Sequence, residues 1–225
     1  MNKQAAYQSL ESKMLRYADL VDVPVKPVQE ELVPIKIGRG LSTKPINDEM
    51  RPYTGDLIFV RKTVLKKLDQ AAKLLTKDNP ELQLQVVCGY RALNVQQKLF
   101  LKYKAELEPR LSGEALLEAT HRLIAVPEIA GHPTGGAVDI QIVKAGQPIV
   151  MGTEVWEFVK DSFTYSPFVS QEAQVNRQLL RDVMIEVGFA PFDGEWWHFS
   201  YGDKEWAKYY KKFYAIYNQL EFKAS

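Results

Sequence analysis

The sequence predicts a single α+β domain in which helices pack on a central antiparallel sheet. Three observations lead to this fold class. The chain of 225 residues is close to the size of one domain. Its 46% hydrophobic and 25% charged residues are an ordinary globular balance, sufficient for a core. Segments with helical and strand periodicity also follow one another without the strict alternation that a parallel βαβ sheet requires.

The first 55 residues, 1–55, are expected to form a largely irregular N-terminal segment of this domain. Residues 4–20 carry a loose helical pattern, and the stretch that follows is rich in proline and glycine. Within it, Val33, Ile35 and Ile37 alternate as in a short strand.

Residues 56–202 are predicted to form the core of the domain. Apolar residues recur at helical spacing over 61–77, which predicts an amphipathic helix. Residues 82–88 alternate and then become wholly apolar, as a buried strand does. Two further helices are predicted over 93–107 and 113–125.

The second half of the chain supplies the remaining elements. A strand is predicted over 137–143, a helix over 172–187 and another strand over 196–201. The C-terminal segment 203–225 is predicted to form a helix over 203–220, with an aromatic stripe that is typical of a packed face.

Composition argues against several classes of function. A net charge of +1 does not favour nucleic acid or an anionic membrane as the main partner. We find no apolar window of about 18 residues and no signal-peptide pattern, so a cytoplasmic location is expected. The single cysteine, Cys88, lies in an apolar run, so we expect it to pack within a strand rather than act as a nucleophile.

Two short polar segments carry the candidate chemistry, and the first contains His132 and Asp139. His132 lies in the glycine-rich loop 131–136, and Asp139 follows seven residues later within a predicted strand. The glycines allow the loop to fold back, so that the imidazole approaches the carboxylate. A carboxylate inside an apolar strand is costly to bury unless it is paired or binds a metal.

The second segment places Glu195 and His198 in an aromatic run directly after the Asp193-Gly194 turn signal. Because side chains alternate along a strand, Glu195 and His198 would face opposite sides of a regular strand. We therefore expect Glu195 to lie in the turn that Gly194 begins.

Two histidines and one carboxylate are typical of catalytic zinc, where three protein ligands leave a fourth position open for water. A further carboxylate can then act as general base and later donate its proton to the leaving amine, a role that suits Glu195. Neither segment is a general zinc signature, so the pattern alone leaves structural histidines open as an alternative. The third histidine, His121, has no paired carboxylate on its predicted helix and is expected to be structural.

Several motifs together resemble the peptidoglycan zinc peptidases of the D-alanyl-D-alanine dipeptidase and carboxypeptidase group, and most closely the dipeptidases of the vancomycin-resistance type. In chain order, the matching motifs are Gly89-Tyr90-Arg91, His132 to Asp139, Met151-Gly152-Thr153, and Glu195 to His198 with Trp197 directly before the histidine. Their order and approximate spacing agree over most of the core.

The resemblance implies a fold like that of the Hedgehog and D,D-peptidase domains, with the zinc site at the sheet and residues 56–202 as the catalytic core. It implies one zinc ion per chain, held by His132, Asp139 and His198. It further implies that Glu195 activates the attacking water, and that Arg91 stabilises the oxyanion of the tetrahedral intermediate.

Two positions depart from the family pattern. The serine that the family often has two residues before the zinc histidine is Ala130 here, and the Phe-Asp pair after Met-Gly-Thr is Val155-Trp156. The missing aspartate weakens the expectation of a free amine on the substrate, because a bound ammonium needs a partner. We expect Tyr90, Trp156 and Trp197 to line the substrate pocket, with Trp156 closing it or stacking on a longer substrate.

The function that follows is zinc-dependent hydrolysis of a D-Ala-D-Ala-type dipeptide or a short peptidoglycan fragment. One alternative is a D,D- or L,D-carboxypeptidase that trims longer muropeptides, which the Trp156 departure favours. A second is a non-catalytic zinc-binding module that recognises wall fragments. Glu195 and Arg91 argue against the module, because a binding protein does not need a general base.

Overall fold

The computed structural model describes residues 2–224 and confirms the α+β class. The helices are α1 (Lys3–Glu11), α2 (Tyr17–Leu20), α3 (Arg51–Thr54), α4 (Lys62–Asp78), α5 (Leu93–Leu107), α6 (Gly113–His121), α7 (Gln171–Glu186) and α8 (Lys204–Tyr209). The strands are β1 (Leu32–Pro34), β2 (Leu41–Thr43), β3 (Phe59–Arg61), β4 (Leu82–Cys88), β5 (Ala137–Lys144), β6 (Gln147–Pro148), β7 (Ala190–Pro191) and β8 (His198–Ser200).

The main sheet has the strand order β2-β4-β5-β8-β7, and β6 pairs with β5 beyond this path. Strand β2 runs parallel to β4, whereas the other pairs of this sheet are antiparallel. The parallel pair is possible because α3, β3 and α4 return the chain to the same end of the sheet between β2 and β4. Strands β1 and β3 form a separate antiparallel pair.

One face of the main sheet packs against α4 and α7. Strand β5 directs Ile140 and Ile142 into this core, where they join Leu68 of α4 and Leu180 of α7. Because side chains alternate along a strand, the same geometry turns Asp139 towards the opposite face. A second apolar cluster links α2, α5 and the segment after α6 beside that face.

The predicted C-terminal helix is much shorter than expected, because α8 ends at Tyr209 rather than near residue 220. Lys211 has a left-handed backbone with φ 52°, and the N–H of Lys212 donates to the carbonyl of Ala207 at 2.8 Å. This arrangement closes the helix. The chain then continues without regular structure, and Phe222 packs in a cluster with Tyr90, Met50 and Phe59.

Other element boundaries also differ from the prediction. The helical pattern over residues 4–20 forms two separate helices, α1 and α2, and β1 ends at Pro34, before Ile35 and Ile37. Helix α6 ends at His121 rather than at residue 125, and β8 begins at His198 rather than at residue 196. The strand begins late because residues 193–197 form turns. No helix within residues 2–224 has both the length and the apolar character needed to cross a membrane.

Candidate metal centre and active site

The register of the sheet brings together two of the three expected zinc ligands. Asp139 on β5 lies directly opposite His198 on β8. Facing residues of an antiparallel pair direct their side chains to the same face. His198 Nδ1 accordingly lies 3.1 Å from Asp139 Oδ1, and both side chains are buried.

The third expected ligand, His132, approaches from the loop before β5. Its Nε2 atom lies 3.3 Å from Asp139 Oδ2. The loop turns back at Gly135, whose φ of 72° is a conformation that glycine adopts without steric cost. The guanidinium Nε of Arg61 donates to the carbonyl of Thr134 at 2.7 Å and fixes this loop.

Hydrogen bonds on the far side of each imidazole select the nitrogen that is free to bind a metal. His132 Nδ1 lies 2.8 Å from the carbonyl oxygen of Gly89, so it carries the proton and Nε2 is the free nitrogen. His198 Nε2 lies 3.3 Å from Glu205 Oε2, which leaves Nδ1 free. Both free nitrogens face Asp139, and such outer partners are typical of metal-binding histidines.

This donor set of two imidazole nitrogens and one carboxylate fits zinc. Two groups of side chains lie close enough together to hold a metal. One is Cys88, His132 and Asp139, with Cys88 Sγ 3.9 Å from His132 Nδ1, and the other is Asp139, Glu195 and His198. The expected ligands His132, Asp139 and His198 draw on both groups, and we favour them over the group with Cys88 because His132 Nδ1 already donates to Gly89. Cys88 is buried at the end of β4, as expected for strand packing, and its sulfur accepts from Arg91 Nη2 at 3.6 Å.

Contacts among His132, Asp139 and His198 shift the pKa values of all three side chains. Burial opposes protonation of His132, but the Asp139 carboxylate outweighs it and raises the pKa of His132 to about 9. Burial likewise opposes protonation of His198, but its contacts with Asp139 and Glu205 raise its pKa well above the ordinary value. Burial would raise the pKa of Asp139, but the two imidazoles lower it well below its usual range. A bound metal takes the place of these imidazole protons.

Glu195 lies in the turn before β8, which confirms its expected position. Its backbone N–H donates to the carbonyl of Phe192 at 3.0 Å, and an ion pair of 3.0 Å between Asp193 and Arg181 holds the turn. A carboxylate oxygen of Glu195 lies within 4.8 Å of the facing atoms of Asp139 and His198. Burial raises the pKa of Glu195 to about 8, although the His198 charge opposes this shift.

Arg91 enters the same site from the end of β4. Its Nη2 atom lies 3.7 Å from Asp139 Oδ2, and its Nη1 donates to Gln96 Oε1 at 2.9 Å. Gln96 Nε2 in turn donates to the carbonyl of Ala125 at 2.8 Å. The guanidinium is therefore held in one orientation beside the expected ligands.

The three residues expected to line the substrate pocket occupy different places. Trp156 lines the cleft that contains His132 and Asp139, and its indole Nε1 donates to Asp139 Oδ2 at 2.8 Å. Its φ of 65° is a left-handed conformation that is rare for a bulky residue and is typical of functional sites. Tyr90 lies away from this cleft, because its hydroxyl donates to the carbonyl of Leu220 in the C-terminal segment. Trp197 is fully buried and lines a neighbouring cavity instead.

The candidate cleft lies around His132, Asp139 and His198. Three of the polar residues that line it were not anticipated as part of the site: Gln96, His121 and Glu205. Glu205 resembles an ordinary acidic residue in the first turn of α8, and Gln96 an ordinary polar residue of α5. Gln96 contacts Arg91 across the turn between β4 and α5, and Glu205 contacts His198 across the turn between β8 and α8. These contacts depend on the geometry of the turns, which no residue pattern indicates.

Comparison with known proteins gives consistent matches. Residues 47–216 match the model of the peptidase M15 family described as D-Ala-D-Ala dipeptidase. A D-alanyl-D-alanine dipeptidase of Synechocystis sp. is 30% identical over 230 residues, which cover 89% of this chain and 93% of the relative.

Solved structures also resemble the chain. The structure of VanYB in complex with D-alanine-D-alanine has a TM-score of 0.43 and 20% identity, and the match covers 68% of this chain and 78% of the other. A vancomycin-resistance D,D-pentapeptidase VanY variant in complex with Zn(II) has a TM-score of 0.43 and 18% identity, covering 81% and 90%.

Proposed function

This chain belongs to the D-Ala-D-Ala dipeptidase family of zinc peptidases, and from that premise we propose that it hydrolyses a D-Ala-D-Ala-type dipeptide. In this proposal His132, Asp139 and His198 hold the zinc ion, and Glu195 is the general base. The observation that carries the assignment is the convergence of both free imidazole nitrogens on Asp139, with the Glu195 carboxylate beside them.

Each residue of the site then has a defined task. Bound zinc supplies a Lewis acid that polarises the peptide carbonyl and acidifies the attacking water. The Glu195 carboxylate accepts the proton of that water and returns it to the departing amine. Its raised pKa suits this task, because a base that must hold and then release a proton works best near the ambient pH.

Arg91 supports the same step from the other side of the cleft. Its guanidinium is buried and is held by Gln96, so it presents a fixed positive charge where negative charge develops on the carbonyl oxygen. A charge that is already oriented stabilises the transition state without reorganisation. Trp156 Nε1 and His132 Nε2 both lie near Asp139 Oδ2 and restrain the carboxylate.

The test is hydrolysis of free D-Ala-D-Ala by the zinc-loaded protein, followed through amine release, with Glu195→Gln as the key variant. We expect turnover to fall by a factor of about 10² to 10⁴, because general-base catalysis is lost, while zinc stays at one equivalent. Glu186→Gln, an exposed position at the end of α7, is the matched control and should behave as the wild type. Near-normal turnover in Glu195→Gln would contradict the assignment.

A carboxypeptidase that trims longer muropeptides is the second candidate, and a neighbouring groove favours it. This outer groove is larger than the catalytic cleft and shares Glu195, Phe158 and Leu123 with it. Arg110, Arg122 and Lys160 lie along it, and Glu11 pairs with two of these cations. A longer peptide that carries carboxylates would find both space and positive charge there.

Comparison of two substrates separates the candidates. If the outer groove is used, kcat/KM for a stem pentapeptide ending in D-Ala-D-Ala will exceed that for the free dipeptide, and Arg110→Ala will lower only the pentapeptide value. A higher kcat/KM for the dipeptide in both the wild type and Arg110→Ala would support the dipeptidase. Full zinc occupancy without turnover of either substrate would instead indicate a non-catalytic module.

A further inference from the structure

His121 lies in the wall of the catalytic cleft, although the sequence suggested only a structural role. It is the last residue of α6, it is 3% exposed, and it lines the cleft together with Glu195 and His198. Its burial agrees with a structural residue. Its hydrogen bonding does not, because only one side of the ring is satisfied.

The protonation of the ring follows from its one hydrogen bond. The backbone N–H of Val126 donates to His121 Nδ1 at 3.4 Å, so the proton of the neutral ring lies on Nε2. Burial lowers the pKa of His121, which favours this neutral form. Nε2 is buried and has no hydrogen-bond partner within residues 2–224.

None of the polar side chains that line the cleft with His121 forms a hydrogen bond with its Nε2 atom. Gln96 Oε1 accepts from Arg91, and Glu205 Oε2 pairs with His198. The neighbouring ring of Tyr17 meets His121 edge to face. A buried donor without an acceptor is costly and is rarely kept in a folded protein, so a bound molecule is the natural source of the acceptor.

The chemistry of the substrate identifies that acceptor. A peptide ending in D-Ala-D-Ala offers two oxygen acceptors near the scissile bond, the carbonyl and the terminal carboxylate. The carbonyl is assigned above to zinc and Arg91. We therefore propose that His121 is a substrate-binding residue whose Nε2–H donates a hydrogen bond to the terminal carboxylate of the peptide. This inference rests on the proposed peptidase function and holds for a dipeptide and for a longer substrate alike.

Two variants separate the binding role from a structural one. His121→Asn places its Oδ1 near the position of Nδ1, so it can still accept from Val126, but it has no group at the position of Nε2. His121→Gln reaches that position with an amide donor. The substrates are D-Ala-D-Ala and its C-terminal amide, and kcat, KM, zinc content and melting temperature are measured for each protein.

We expect His121→Asn to raise KM for D-Ala-D-Ala by about 10- to 100-fold, the effect of losing a hydrogen bond to a charged group. Its kcat should stay within about threefold, because the donor does not touch the reacting atoms. His121→Gln should recover most of this loss. With the amide substrate, the KM values of the wild type and the two variants should differ much less. Equal losses on both substrates, or no loss at all, would overturn the proposal.

Calorimetry keeps this test independent of turnover. D-Ala-D-Ala is titrated into zinc-loaded Glu195→Gln protein, with and without His121→Asn. Weaker binding only in the double variant supports the role of His121 even if the wild type proves inactive, and equal binding refutes it. If His121→Asn does not fold, ¹⁵N spectra of the wild-type imidazole decide, because the Nε2 resonance must shift when D-Ala-D-Ala is added.

Discussion

Replacing Glu205 should weaken zinc binding, although Glu205 is not one of the proposed ligands. Its Oε2 atom lies 3.3 Å from His198 Nε2, and both side chains are largely buried. Burial would raise the pKa of Glu205, but its contact with His198 lowers it, so the carboxylate is ionised and orients the ring. Removal of the carboxylate frees the ring to rotate and makes Nδ1 a poorer ligand.

The magnitude follows from the kind of bond that is lost. A hydrogen bond to a charged group contributes about 1.5–3 kcal/mol, which corresponds to roughly 10- to 150-fold in an equilibrium constant. Outer partners of zinc histidines typically change metal affinity by about 10- to 100-fold. We therefore expect Glu205→Ala to lower zinc affinity by about 10- to 100-fold. Glu205→Gln, which keeps an acceptor oxygen, should lose less.

The assay is competition between the protein and a chelator of known zinc affinity at fixed pH. Glu186→Ala is the control, because Glu186 is an exposed carboxylate at the end of α7 and does not line the cleft. Circular dichroism must show that Glu205→Ala is folded. If the folded variant binds zinc within twofold of the wild type, the bond between Glu205 and His198 does not orient the ligand, and the reasoning fails.

Three further predictions follow from the same geometry. Zinc affinity should rise by at least about tenfold per pH unit up to about pH 9, because zinc must displace the protons that the raised pKa values keep on His132 and His198; a flat profile by chelator competition would contradict this. Trp156→Phe removes the indole hydrogen bond to Asp139 and should weaken zinc binding several-fold at an unchanged melting temperature. Unchanged zinc affinity would show that this hydrogen bond does not support metal binding. Gly131→Ala places a Cβ 2.1 Å from a buried carboxylate oxygen and should lower the melting temperature by several degrees, whereas Gly38→Ala, with open space around it, should not.

The sequence was informative wherever a single segment decides the structure. The amphipathic pattern of α4 and the alternation in β4 predicted these elements to within about a residue. The argument that Glu195 and His198 cannot share a face also placed Glu195 in its turn. The family that the motifs suggested is also the family whose model matches residues 47–216.

The sequence was uninformative where an unusual backbone conformation or the packing of separate elements decides the structure. The end of α8 depends on the left-handed conformation of Lys211, a residue with no strong preference for it. The environments of Glu205 and His121 depend on the packing of α6 and α8 around the cleft. Trp156 was expected in the pocket, but its bond to Asp139 depends on a strained backbone that no local pattern indicates.

The pairing of Asp139 with His198 across β5 and β8 also limits how the protein can change. The turn that carries Glu195 sets the distance along the chain between the β7 and β8 segments. Because β8 stays paired with β5, a residue added there would be taken up in the turn and would displace Glu195 from its place beside Asp139 and His198. The length of this turn therefore cannot change without altering the distance between Glu195 and the proposed zinc ligands. New specificity in this family member would have to come from substitutions or from loops elsewhere around the cleft.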